Sequence, residues 1–268
     1  MSTLLLGLLA FWAAFAILVA ALARCRRIHR VDPEILRKGL HAGMGLASLA
    51  LPYCFDTVWP VLGLAFSFVL ALAARACCLS VRRIFRPILD DVERLTVGEL
   101  LFPIAVAVTF VAAAGDRVVF AIPILILALA DSAAALVGRH LGAIRYGGPD
   151  GKSLEGSAAF CATAMGCTAI PLSLLSDLGA VPIVLISLTV ALLATLVEAL
   201  SRRGLDNVTV PVTTLLLVRA LRPLTPLSLS LVLAGAGILT LIAAWAAFRG
   251  TTRRRRRRQI AGRETCRA

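Results

Sequence analysis

The sequence predicts an all-α bundle of membrane-spanning helices, and three observations carry that prediction. Hydrophobic residues make up 59% of the 268 and charged residues only 16%, the mean hydropathy is +0.90, and the apolar residues gather into runs close to the roughly 20 that cross a bilayer as a helix. A soluble domain carries about 25% charged residues. This chain has too little polar surface to cover so apolar an interior, which excludes a soluble globular enzyme or binding module.

The runs fall at about 3–23, 39–55, 57–74, 97–114, 118–137, 156–175, 179–199, 208–221 and 226–248. They give eight or nine spans, with the N-terminus outside, in a single domain over 1–248, followed by a basic cytoplasmic tail over 249–268 that is expected to be disordered. Lys and Arg accumulate in cytoplasmic loops. Nine spans place Arg24–Lys38, Arg75–Arg94, Arg139–Lys152, Arg202 and Arg203, and everything from Arg249 onward on the inner side, leaving only Arg117, Arg219 and Arg222 outside, so that 25 of the 28 basic residues lie inside.

The first run has no cation before it and Arg24, Arg26 and Arg27 after it, so it reads as an uncleaved anchor and not a signal peptide, despite Ala21-Leu22-Ala23. The second and eighth runs are short and interrupted by Gly39, Gly43, Gly45 and Pro52, and by Pro211 with Pro223 just beyond, as tilted or half-length helices are. Pro211 is expected in the first turn of its helix, where proline is tolerated. The fourth run begins near Glu99, which is expected to pair with a neighbouring cation. The seven cysteines contain no C-x-x-C pair and lie in or beside apolar runs, so neither a zinc site nor a disulfide framework follows.

The net charge of +13 is spread over loops at membrane depth, which argues against a nucleic-acid partner. The block Arg253–Arg258 reads as a juxtamembrane segment attracted to anionic lipid.

Polar residues form three islands on the predicted inner side. The first begins where the fifth run ends in Asp131, a carboxylate that costs roughly 3 kcal/mol at the centre of a bilayer and therefore marks a candidate site. Ala134, Ala135, Gly138 and Gly142 follow on or near its helical face. A loop then brings Arg139, Arg145 and Lys152 together with Gly142, Gly147, Gly148 and Gly151. Cations and free backbone amides suit a polyphosphate, and a nearby carboxylate would hold its Mg²⁺. The phosphate-loop pattern G-x-x-x-x-G-K-[ST] fails, because Tyr146 stands where the first glycine is required. Ser153 can cap the next helix, with Glu155 in its first turn. The second island is Glu198, Arg202, Arg203, Asp206 and Asn207. The third and weaker one is Glu34, Arg37, Lys38 and His41.

Asp131-Ser132-Ala133-Ala134 with Gly138-Arg139 and Gly142, then Lys152-Ser153-Leu154-Glu155-Gly156-Ser157, then Asp206-Asn207-Val208-Thr209-Val210-Pro211, resemble the CTP-dependent lipid-alcohol kinases, a family that includes phytol kinase, dolichol kinase and the CTP-using diacylglycerol kinase. Arg37-Lys38 followed by His41 is similar to that family's R-K-x-x-H motif. The likeness spans roughly residues 34–215. It implies a membrane enzyme with a cytoplasmic active site that moves the γ-phosphoryl of CTP to the hydroxyl of an isoprenoid alcohol or diacylglycerol. On this resemblance the catalytic residues are Asp131, Lys152, Glu155, Asp206 and Asn207. The nucleotide would meet Gly138, Arg139, Gly142, Lys152, Ser153 and Gly156, and Mg²⁺ would meet Asp131 and Glu155.

The first two motifs are also similar to part of the phosphatidate cytidylyltransferases, which is the alternative reading. That family's terminal P-G-H-G-G run with paired aspartates is absent, which favours the kinase. A transporter or a non-catalytic lipid-binding protein is the remaining alternative, but the chain shows no repeated halves of the kind transporters carry.

Overall fold

A computed structural model describes residues 2–78, 97–146, 151–202 and 204–265. Gly147, Gly148, Asp90, Asp91, Glu93 and Arg203 lie outside the described residues. Among those described, the backbone is helical, with a single antiparallel bridge between Arg145 and Ser153 and no named strand. The helices are α1 (Ser2–His29), α2 (Pro33–Ser48), the short α3 (Leu51–Cys54), α4 (Val58–Cys77) and α5 (Val97–Ala113). They continue with α6 (Arg117–Leu125), a π-helical turn (Ile126–Ala130), α7 (Asp131–His140), α8 (Leu154–Leu175), α9 (Ala180–Leu200), α10 (Asp206–Leu221) and α11 (Pro226–Thr265).

Each apolar run of the sequence falls on helical backbone, the second divided between α2 and α3 and the fifth passing through α6, the π turn and α7. Six of the resulting segments are long and apolar enough to cross a membrane: Leu4–His29, Val58–Arg75, Arg117–His140, Leu154–Leu175, Ala180–Leu200 and Pro226–Ala246. The second, fourth and eighth runs give helices of 16 or 17 residues. Helical backbone in α11 continues past the apolar part into the basic segment, to Thr265. No proline interrupts that segment, and arginine is a good helix former.

Between apolar helices in lipid there is little hydrophobic drive, so association depends on close packing and small residues. The middle of the bundle shows it. α8 and α9 lie against one another, and α9 also meets α10 and α11. Ala128, Ala130, Ala164 and Ala194 are fully buried among Phe120, Phe160 and Ile122. The glycines that shorten the second run have the same use. A Cβ on Gly43 would stand 2.6 Å from Leu18 of α1, and one on Gly45 would collide with Ala128 of the π turn.

Two prolines open the backbone near the polar end. Pro123 cannot donate to Val119 O in α6, and the π turn begins three residues after it, at Ile126. Pro211 lies in the second turn of α10, not the first, because the helix already begins at Asp206. Its missing N–H removes the helical donor to Asn207 O.

At the other end of the bundle, Asp116 caps α6 by accepting from Val118 N (2.9 Å) and Val119 N (3.0 Å), and it pairs with Arg222 at the end of α10 (2.5 Å). Partial burial pushes this carboxyl up, but the two amides and Arg222 outweigh it and hold the group below its usual 3.8. A lowered carboxylate stabilises the fold fully above its ordinary value and loses that contribution as the pH falls through the lowered one. Asp116→Ala should therefore cost about 1 kcal/mol at neutral pH. In detergent melts, the gap between wild type and variant should close in acid below the carboxylate range.

Candidate active site

Polar residues from each of the three islands line one open cleft. Asp131 enters it from the first turn of α7, just after the π turn. Its Oδ2 lies 2.5 Å from Lys38 Nζ and 3.7 Å from His41 Nε2, both on α2. The His41 ring is fixed from both sides: Nε2 lies 3.0 Å from Leu127 O within the π turn, and the ring rests on Phe102 at 4.5 Å. Donation to a carbonyl requires Nε2 to carry the proton, so His41 acts here as a hydrogen-bonding post, as expected of a lone histidine near a helix end. Ser132 donates to Ala128 O at 2.6 Å, so the π turn's carbonyls are held by side chains.

Lys152 enters from the loop before α8 and gathers two acids. Its Nζ lies 2.6 Å from Glu198 Oε1 and 3.5 Å from Asp206 Oδ2, and it also donates to Glu198 O. Glu198 closes α9 and Asp206 opens α10, so one cation ties together three elements and two islands of the sequence. The side chain of Glu198 is 6% exposed, against 27% for Lys152. A carboxylate so placed requires a cation beside it.

The loop bearing Lys152 is a small clasp. Tyr146 N donates to Lys152 O and Leu154 N to Ile144 O, both at 2.9 Å. Tyr146 OH and Ser157 Oγ are 2.5 Å apart. Burial and the nearby Glu198 push the Tyr146 phenol up. Ser153 caps α8 as expected, accepting from Gly156 N at 3.0 Å. The glycines Gly138, Gly142 and Gly156 let α7 and the start of α8 come close: a Cβ on Gly156 would stand 2.8 Å from Ala134 O, and one on Gly142 would stand 2.8 Å from the Ser153 side chain. Here they serve close helix approach, as small residues do in membranes.

Gly138, Arg139, Lys152, Ser153, Gly156, Asp131 and Asp206 all border the cleft. Arg139 is held 2.6 Å from Asp32, the residue that caps α2. Glu155 stands apart from the cleft. Its carboxylate accepts from Ala143 N (3.1 Å) and Ile144 N (3.2 Å), so it closes the clasp from outside. Asn207 also points elsewhere, donating to Gly98 O at the start of α5 (2.7 Å).

Two partners were not singled out as site residues from the sequence, Lys38 and Glu198. Lys38 lies inside the R-K-x-x-H motif, and Glu198 is an acid at the end of an apolar run. Either signal would have been enough. Glu99 pairs with Arg75 at 3.3 Å, as expected of it.

Beside the cleft lies a second space, lined by α1, α2, α4 and α5. Its walls are apolar, with Phe11, Phe15, Phe68 and Phe102 among them, and Arg37 borders both spaces.

Among the described residues no three His, Cys, Asp or Glu side chains come close enough to hold a metal ion by themselves. Mg²⁺ asks less of a protein: one or two carboxylates, with phosphate oxygens and water completing the octahedron. Asp131 and Asp206 are the two aspartates that border the cleft.

The chain is 30% identical over 208 residues to a curated phytol kinase from Synechocystis sp., a match that covers 76% of this chain and 86% of that protein. No family model matches the chain, and no solved structure matches it.

Proposed function

Because the chain belongs to the CTP-dependent lipid-alcohol kinase family, that of phytol kinase, we propose that this multi-pass membrane protein transfers the γ-phosphoryl of CTP to the hydroxyl of an isoprenoid-type alcohol at the cytoplasmic face. The observation that carries the reading is the meeting of two unlike spaces at Arg37, a charged cleft suited to a polyphosphate and an apolar chamber suited to hydrocarbon. Phosphoryl transfer asks a protein for alignment and charge neutralisation more than for covalent chemistry, and the cleft offers both.

In this reading Lys152, Arg139 and Arg145 take phosphate oxygens. Asp131, held in place by Lys38 and His41, is the carboxylate that would bind Mg²⁺, whose charge offsets that of the nucleotide phosphates. Asp206 accepts the proton of the lipid hydroxyl as its oxygen bonds to the γ-phosphorus and the bond from that phosphorus to the bridging oxygen breaks. The products are a lipid phosphomonoester and CDP. Asn207 fixes the start of α10 to that of α5 and so positions Asp206.

Glu155 is assigned the loop and not the metal. Glu155→Ala should release the Ala143 and Ile144 amides, loosen the clasp that carries Arg145 and Lys152, and raise KM for CTP about tenfold with a smaller change in kcat. A fall in kcat at unchanged KM would return Glu155 to the reacting centre.

The overall reading is tested by the nucleotide product. Purified protein in lipid nanodiscs with Mg²⁺, CTP and phytol should form CDP only when the alcohol is present. Release of pyrophosphate in place of CDP would mean cytidylyl transfer.

A further inference from the structure

We propose that the facing ends of α9 and α10 form a second divalent-cation site, in which Glu198 supplies a carboxylate oxygen and its backbone carbonyl, Asp206 supplies another carboxylate oxygen, and the Lys152 ammonium holds the ion's place in the empty cleft. Its filling rests on the kinase reading above, and it adds a metal beyond the one given to Asp131.

Three oxygens from two helix ends build the site. Lys152 Nζ lies 2.6 Å from Glu198 Oε1 and 3.5 Å from Asp206 Oδ2, and it donates to Glu198 O. Carboxylates and a carbonyl are ligands for a hard cation, and Mg²⁺ needs only one or two carboxylates when phosphate and water complete its shell. Glu198 O belongs to the last turn of α9, where carbonyls lack helical donors and the helix dipole favours positive charge. Besides Lys152, it accepts from Ser201 N at 3.2 Å.

Two observations separate this cluster from an ordinary ion pair. Glu198 Oε2 is buried without a hydrogen-bond partner among the described residues, on a residue that is 5% exposed and borders the cleft. A buried carboxylate in a finished ion pair has its remaining lone pairs satisfied. The hold on the two partners is also unequal. Glu198 sits on a helix, whereas the Lys152 side chain is 27% exposed at the end of a loop and can turn to the phosphates on its flexible four-carbon stem. Once it does so, as the kinase reading requires, Glu198 and Asp206 face each other without their cation. The other described cations of the cleft are engaged: Lys38 with Asp131, Arg139 with Asp32, Arg37 with Glu34, and Arg145 with the carbonyls of Gly138 and Gly151. A divalent ion taken up with the nucleotide restores the balance that a buried carboxylate needs.

The test counts bound Mn²⁺ by the loss of the free-ion signal in electron paramagnetic resonance, using the full chain in nanodiscs of uncharged lipid. Without nucleotide, Lys152→Met should bind Mn²⁺ about tenfold or more tighter than wild type, because the competing ammonium is gone. Adding Glu198→Gln should abolish that gain. A merely structural lysine predicts a looser protein with no new affinity for metal. With β,γ-methylene-CTP bound, wild type should hold two Mn²⁺ per chain and Glu198→Gln one. No gain in Lys152→Met, a gain that survives Glu198→Gln, or a single Mn²⁺ in wild type with the analogue bound would each overturn the site. The last result needs no variant, so it decides the matter if Lys152→Met fails to fold. An analogue that does not bind, beside an intact gain in Lys152→Met, would count against the kinase and leave the cation site standing.

Discussion

Lys152→Met is expected to lower kcat/KM by about a thousandfold, the upper end for loss of one preorganised charged donor. The expectation follows from the three oxygens that Lys152 draws to one point: a carboxylate oxygen of Glu198, the same residue's backbone carbonyl, and a carboxylate oxygen of Asp206. Removing the cation leaves two acids facing one another at a membrane surface, so affinity for a polyphosphate falls and the ends of α9 and α10 move apart. Lys152→Arg keeps the charge but carries a planar fork in place of a compact ammonium. It should recover the melting temperature and only part of the rate. A Lys152→Met protein with normal kcat/KM would remove this residue from the site.

The second large effect concerns Asp131 and Lys38. Asp131→Asn strips the partner from an ammonium whose side chain is only 9% exposed, and breaking a buried pair from one side costs about 3–5 kcal/mol. Activity should vanish as well, and a single variant cannot separate the two losses. The double replacement Lys38→Met with Asp131→Asn can, because it removes both charges together. Its melting temperature in detergent should return most of the way to wild type while transfer stays at least a thousandfold down. Recovery of both stability and activity in the double variant would make the pair purely structural.

The helical runs were legible because apolar length is a property of contiguous sequence, although the second run divides between α2 and α3 and only six segments are long enough to cross a membrane. The order of the motifs was legible for the same reason: Asp131, Lys152 and Asp206 each stand at the edge of an apolar run, where an acid or a lysine is conspicuous. What joins them was not legible. Lys38 meets Asp131 across 93 positions of sequence, and nothing local in either segment names the other. The π turn before Asp131 is likewise a tertiary feature, since the carbonyls of Leu127 and Ala128 find partners in His41 of another helix and in Ser132.

Glu155 and Pro211 show the limit from the other side. An acid in a helix's first turn beside a lysine reads as a ligand pair, yet the loop folds back so that the Ala143 and Ile144 amides reach Glu155 first. Pro211 reads as the first turn of a helix that in fact starts earlier, at Asp206, because α10 is set against α5 by Asn207 and Gly98. The chamber depends on four helices whose aromatic residues lie far apart in the chain, so no window of sequence contains it.

The central claim is that the γ-phosphoryl, and no other part of the nucleotide, passes from the charged cleft to an alcohol in the chamber. The most direct measurement incubates the reconstituted protein with Mg²⁺, phytol and CTP labelled either at the γ or at the α phosphorus, and follows the label into extracted lipid. The account predicts lipid label from γ-labelled CTP alone, lost in Asp206→Asn. Lipid label from α-labelled CTP would contradict it.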